Sequence, residues 1–117
     1  MLAFYGIPNC TTCKKAEKQL NEWGLDYQYY NLKEETPSKE SLRALIDQEG
    51  EDSRRLFNTS GQLYRELDLA NKWADLTLED KVNLLHQDGM LVKRPLIIGQ
   101  DQYTIGSDIN VWQNLAN

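Results

Sequence analysis

One short stretch governs how this chain can fold. The apolar run Leu2–Gly6 stops at Ile7-Pro8-Asn9, and the only two cysteines, Cys10 and Cys13, follow at once. Pro8 has no N–H to give to a ladder, so the run before it ends there. A brief apolar run with aromatic members predicts a buried strand. From Thr11 the hydrophobic period changes to that of a helix. Cys13, Ala16, Leu20 and Trp23 fall on one face, Lys14, Lys15, Lys18 and Glu22 largely elsewhere, and Gly24 supplies a stop. The Tyr-rich segment Asp26–Asn31 predicts a second strand. The chain therefore opens β-α-β, with both cysteines at the first strand-to-helix junction.

The middle of the chain predicts helices. Pro37-Ser38 starts one whose apolar face is Leu42, Leu45 and Ile46, ended by Gly50. Asn58, Ser60 and Gly61 break any long helix over Arg54–Leu67, and Leu69–Leu76 predicts a short one. Thr77 with Asp80 three later has the spacing of a capping box, ahead of Leu78, Val82 and Leu85. After Arg94-Pro95, the segments Leu96–Ile98 and Tyr103–Gly106 predict a β-hairpin. Ser107 then caps a final helix carrying Ile109, Val111, Trp112 and Leu115. The resulting string, β-α-β, helices, β-β-α, predicts an α/β protein. It is the thioredoxin-like plan: a mixed sheet, with a helical insertion at about 38–89 between its halves.

Size and charge narrow the function classes. At 117 residues one domain is expected. With 13 basic against 18 acidic side chains the formal charge is −5, which argues against direct nucleic-acid binding. No apolar stretch approaches the ~18 residues needed to span a membrane. Met1–Ile7 lacks a basic start and reads as a strand rather than a signal peptide. A monomer in a reducing cytoplasm is expected, where disulfides are transient.

Two cysteines three apart cannot staple a fold, because the loop they close is minimal. Three readings remain: redox chemistry, half of a metal site, or coincidence. At a helix start several backbone N–H groups lack partners and their dipoles favour an anion. Cys10 is thus the expected attacking thiolate, with a pKa below that of a free cysteine. Cys13, one turn in and on the apolar stripe, is expected to be buried and to resolve any mixed disulfide formed at Cys10. Thr11, Thr12, Lys14 and Pro95 are expected as support for the thiolate or a bound anion. A zinc site needs two more ligands, and His86 is the only histidine, so no metal is expected. His86 itself reads as a half-exposed helix residue. Arg94 reads either as a solvated residue before a strand or as an anion ligand beside the thiolate.

Four segments, taken in order, carry a resemblance over essentially the whole chain. They are Pro8-Asn9-Cys10-Thr11-Thr12-Cys13-Lys14-Lys15-Ala16, Pro37-Ser38-Lys39-Glu40, Asn58-Thr59-Ser60-Gly61 with Tyr64-Arg65-Glu66-Leu67, and Asp88-Gly89-Met90-Leu91 with Lys93-Arg94-Pro95-Leu96. Together they resemble the arsenate reductase (ArsC)/Spx family, and small CxxC members match best. The resemblance implies a thioredoxin-like fold and a cis Arg-Pro bond facing the cysteine, which favours a catalytic role for Arg94 beside Cys10 and Cys13. It implies a thiol-dependent oxidoreductase with no bound cofactor. The reductant is an external thiol: glutathione with glutaredoxin, or thioredoxin. Of the three arginines that hold the oxyanion in the arsenate-reducing branch, Arg94 matches one. The others fall on Asn58 and near Gly106, and Arg54 and Arg55 are out of register, so efficient arsenate reduction is not expected. The Spx branch implies a second class: a redox-switched regulator that binds the C-terminal domain of the RNA polymerase α subunit, with Gly50 near a glycine of that contact.

Overall fold

Leu2, Phe4 and Gly6 are buried while Ala3 and Tyr5 are half-buried, the alternation of a strand. In the computed structural model, which describes residues 1–115, this segment is β1 (Leu2–Gly6). Helix α1 (Thr11–Glu22) and strand β2 (Tyr27–Asn31) follow, β2 parallel to β1, from Leu2 beside Tyr27 to Gly6 beside Asn31. Strands β3 (Leu96–Ile98) and β4 (Tyr103–Ile105) complete a mixed four-stranded sheet in the order β2-β1-β3-β4. β3 runs antiparallel to both neighbours, with Tyr5 beside Leu96 and Leu96 beside Ile105. The α/β, thioredoxin-like plan read from the sequence is the plan observed.

The chain divides into two compact units. The first takes Met1–Asn31 with the chain from Arg94 onward and contains the sheet, α1 and both cysteines. Its core is Leu2, Phe4, Cys13, Ala16, Leu20, Ile97, Ile109 and Trp112, with Trp23, Tyr27 and Tyr29 packed at the margin. Phe4 stacks on Tyr29 at 5.6 Å between centroids and tilts against Tyr27 at 5.5 Å. Gly99 lets the Trp112 indole lie against the backbone, since a Cβ there would meet the ring at 2.8 Å. The indole Nε1–H donates to Thr104 Oγ1 at 2.8 Å, so the buried ring keeps its polar atom satisfied.

One expectation fails in this unit. The segment after Ser107 is a 3-10 helix over Asn110–Leu115, not an α-helix. Ile109 and Trp112 are buried, but Val111 is 40% and Leu115 51% exposed. Buried positions three apart match the 3.0-residue turn of a 3-10 helix, which turns Val111 aside; Leu115, in line with Ile109 and Trp112, is exposed all the same.

The second unit, Leu32–Lys93, is helical. It holds α2 (Lys39–Glu49), α3 (Gln62–Glu66), α4 (Leu69–Lys72) and α5 (Leu78–Gln87), joined by 3-10 turns at Gly50–Leu56, Trp73–Asp75 and Gly89–Leu91. Ser38 caps α2, and Gly50 ends it at φ +58°, a backbone region that favours glycine. Thr77 and Asp80 form the reciprocal capping box on α5. Leu42, Leu45, Ile46, Val82 and Leu85 are buried as the periodicity predicts, whereas Leu78, at the first helical position, is 37% exposed. Among the described residues no helix is long and apolar enough to cross a membrane.

Candidate active site

The cysteine pair is held by the way β1 hands the chain to α1. Cys10 is the N-cap of α1, with extended backbone (φ −97°, ψ 113°), and its Sγ accepts the backbone N–H of Cys13 at 3.2 Å. Its carbonyl accepts the Lys14 N–H at 3.0 Å, the first helical bond, and its own N–H donates to the Ile7 carbonyl at 3.3 Å. A sulfur in the place usually taken by a Ser or Asp oxygen thus meets the unpaired donors and the positive end of the helix dipole.

Cys13 lies in a different environment one turn later. It is 1% exposed, against a half-exposed Cys10, and both are free thiols. Its side chain packs on Gly6, where an added Cβ would meet the Cys13 sulfur at 3.0 Å and the Phe4 ring at 2.9 Å. Burial pushes the Cys13 thiol up from 9.0 to about 12, and its hydrogen bond with Cys10 and the charge of Cys10 push the same way. The Ile7 backbone and the Arg94 guanidinium pull it partly down. Cys13 is therefore protonated at neutral pH and does not compete with Cys10 for a first attack.

Of the other residues named from the sequence, Thr11 is exposed and Thr12 half-buried in the first turn of α1. Lys14 is exposed and lines an open depression with Glu17, Lys18, Asn21, Glu22 and Tyr27. The Arg94-Pro95 bond is cis, with Arg94 half-buried and Pro95 buried. The antiparallel register ends at Tyr5 beside Leu96, so Arg94, two residues before Leu96, lies toward the Gly6 end of β1, and its charge reaches Cys13. The Pro95 carbonyl accepts the Gly106 N–H at 2.9 Å, and Gly106 stands at φ +75°.

Sequence reasoning missed three members of this site. Gly6 backs the Cys13 sulfur, the Ile7 backbone bonds at the cysteines, and Tyr29 is raised in pKa by burial, then by the charges of Glu17, Cys13 and Cys10. A glycine closing an apolar strand just before the cysteines was the available signal for Gly6. In the helical unit, Arg54 stands over the Trp73 ring at 5.0 Å and Arg55 pairs with Glu49 at 3.0 Å. Among the described residues no group of three or more His, Cys, Asp or Glu is placed to hold a metal ion.

The comparisons with known proteins agree with this fold. YusI of Bacillus subtilis is 44% identical over 90% of this chain and 89% of its own. Regulatory protein MgsR of the same organism is 27% identical over 90% of this chain and 82% of its own. The global transcriptional regulator Spx of Enterococcus faecalis is 26% identical over 91% and 79% respectively. The crystal structure of a possible arsenate reductase from Streptococcus mutans superposes with a TM-score of 0.87 at 38% identity, covering 92% of each chain. The ArsC family model matches residues 5–115, and the chain belongs to the ArsC family.

Proposed function

We propose that this chain is a thiol–disulfide redox protein of a reducing cytoplasm in which Cys10 attacks and Cys13 resolves. The observation that carries the reading is the unequal pair itself. Cys10 Sγ is half-exposed at the helix cap and takes the Cys13 N–H at 3.2 Å, while the Cys13 thiol is buried and protonated. In the first step the Cys10 thiolate bonds to one sulfur of a disulfide and the other leaves as thiolate. In the second, Cys13 gives up its proton and attacks Cys10 Sγ, releasing the second thiolate and leaving a Cys10–Cys13 disulfide. Two electrons have then passed to the substrate. An external thiol, glutathione with glutaredoxin or thioredoxin, restores the dithiol. Arg94 supplies positive charge to the site, felt at Cys13.

Arsenate itself is a poor substrate on this reading. Position 58 is Asn and position 106 Gly, while Arg54 and Arg55 are engaged by Trp73 and Glu49. A doubly charged oxyanion is left with Arg94 where the reducing branch uses three guanidinium forks.

The test is disulfide trapping. Cys13→Ser accumulates mixed disulfides at Cys10, read by mass spectrometry, and Cys10→Ser accumulates none. The reverse pattern would exchange the two roles, and brisk arsenate turnover with glutathione and glutaredoxin would refute the substrate reading.

A second reading follows from the relatives that are named regulators. Here the Cys10–Cys13 state governs binding to the C-terminal domain of the RNA polymerase α subunit. A pull-down with that domain in both redox states decides it, and no binding in either state removes it.

A further inference from the structure

Charge in the cysteine unit is unevenly placed. Its basic side chains are Lys14, Lys15, Lys18 and Arg94, and its acidic ones Glu17, Glu22, Asp26, Asp101 and Asp108, a formal −1. Lys14, Lys15 and Arg94 stand toward the reactive end, and Lys18 lies midway along α1. Lys14 and Lys15 lie in the first two turns of α1 and Lys18 in its second half, all exposed, and Arg94 lies two residues before β3, toward the Gly6 end of β1.

Three of the five carboxylates stand at the opposite end. Glu22 lies twelve residues beyond Cys10, about 18 Å along the axis. Asp26 adjoins the start of β1, since the Leu2 N–H donates to its carbonyl at 3.1 Å. Asp101 lies in the turn between β3 and β4, next to the pairing of Ala3 with Ile98. Of the two nearer acids, Glu17 accepts the Tyr27 hydroxyl at 3.0 Å, and Asp108 follows β4. Toward Cys10, Lys14, Lys15 and Arg94 thus stand with Asp108, Glu17 and Lys18 lie midway along α1, the far end holds three carboxylates with the Met1 ammonium, and the helix dipole adds to the same polarity.

We propose that the disulfide attacked by Cys10 is anionic, a carboxylate-bearing disulfide drawn to the positive end of the unit. The inference rests on the redox reading above and names its substrate class. The step is a single exchange. Cys10 Sγ bonds to one substrate sulfur, the substrate S–S bond breaks, and the released thiolate keeps its electron pair until it takes a proton from water. The lysines do not enter the bond changes. They raise the local concentration of the anion, an effect that falls with salt because exposed charges are screened beyond about 10 Å at 0.1 M.

The experiment compares two chromogenic probes on the whole protein: dianionic dithiobis(nitrobenzoate) and uncharged dithiodipyridine. The uncharged probe reports the intrinsic reactivity of the thiolate, and the ratio of the two rates reports steering. We expect that ratio to fall about three- to tenfold as salt rises from roughly 10 mM to 0.5 M. We expect Lys15→Glu with Lys18→Glu to abolish the salt effect, and Lys15→Gln with Lys18→Gln to halve it on a logarithmic scale. A ratio unmoved by salt and by both double variants, with Cys10 still labelled by the uncharged probe, overturns the inference alone. Failure of the uncharged probe to label Cys10 overturns the redox reading beneath it.

Discussion

The cysteine unit and the helical unit are stabilised by different means. The helix ends of the helical unit follow local rules: Ser38 caps α2, Gly50 ends it, and Thr77 with Asp80 closes the start of α5. Its side-chain pairs are mostly at the surface, as in the bidentate Arg43–Glu79 bridge at 2.7 Å or Lys81 over Trp73 at 4.5 Å. The cysteine unit relies on close approach between residues distant in sequence. Cys13 sits on Gly6, Trp112 lies on Gly99 and bonds Thr104, and Phe4 is packed by Tyr27 and Tyr29. Local interactions tolerate change one residue at a time, whereas a tightly fitted core transmits small changes in volume. The reactive pair is thus built into a tightly fitted core.

Substitutions in the two units test this contrast. Trp112→Ala is expected to have the largest effect, a loss of about 3–5 kcal/mol in urea unfolding, as for other buried aromatic truncations. A loss below roughly 1 kcal/mol would show that the core relaxes around the gap, and the contrast would fail. Gly6→Ala comes next. Its new Cβ forces Phe4 or Cys13 to move, at a cost of about 1–3 kcal/mol. A shift in the alkylation rate of Cys13 in the same variant would tie that strain to the site. Thr77→Ala is expected to cost about 1 kcal/mol, because one cap is lost from an exposed helix start. Should it match Gly6→Ala, local and long-range interactions would weigh equally and the distinction between the units would dissolve.

The same contrast explains what could be read from the sequence. The stripe Cys13, Ala16 and Leu20 defined the buried face of α1, and the change of period at Thr11 placed Cys10 at its cap. The Thr77–Asp80 spacing marked the capping box, although Asp replaces the preferred Glu or Gln. Such features are written within four residues of themselves. The close approach of Gly6 to Cys13 and of Gly99 to Trp112 is set by strand register, which the period-2 pattern leaves open for strands as short as three residues. The segment around Ile109 and Trp112 misled for a related reason: two buried positions three apart satisfy either an α or a 3-10 winding, and exposed Val111 decides between them only in three dimensions. Arg94 was identified as a candidate, but its place toward the Gly6 end of β1 follows from the pairing of Tyr5 with Leu96.

The cysteine unit is assembled from both ends of the chain, with residues 32–93 between. A ribosome delivers Cys10 and Cys13 first. It delivers Ile97, Ile109 and Trp112, which complete the core around Cys13, long after them. While the nascent chain is still short of β3, Cys13 lacks those covering residues and both thiols precede Arg94 out of the exit tunnel. The asymmetry between the two cysteines is therefore a late property, acquired when the segment from Arg94 onward folds back. Until then the polypeptide carries two ordinary thiols.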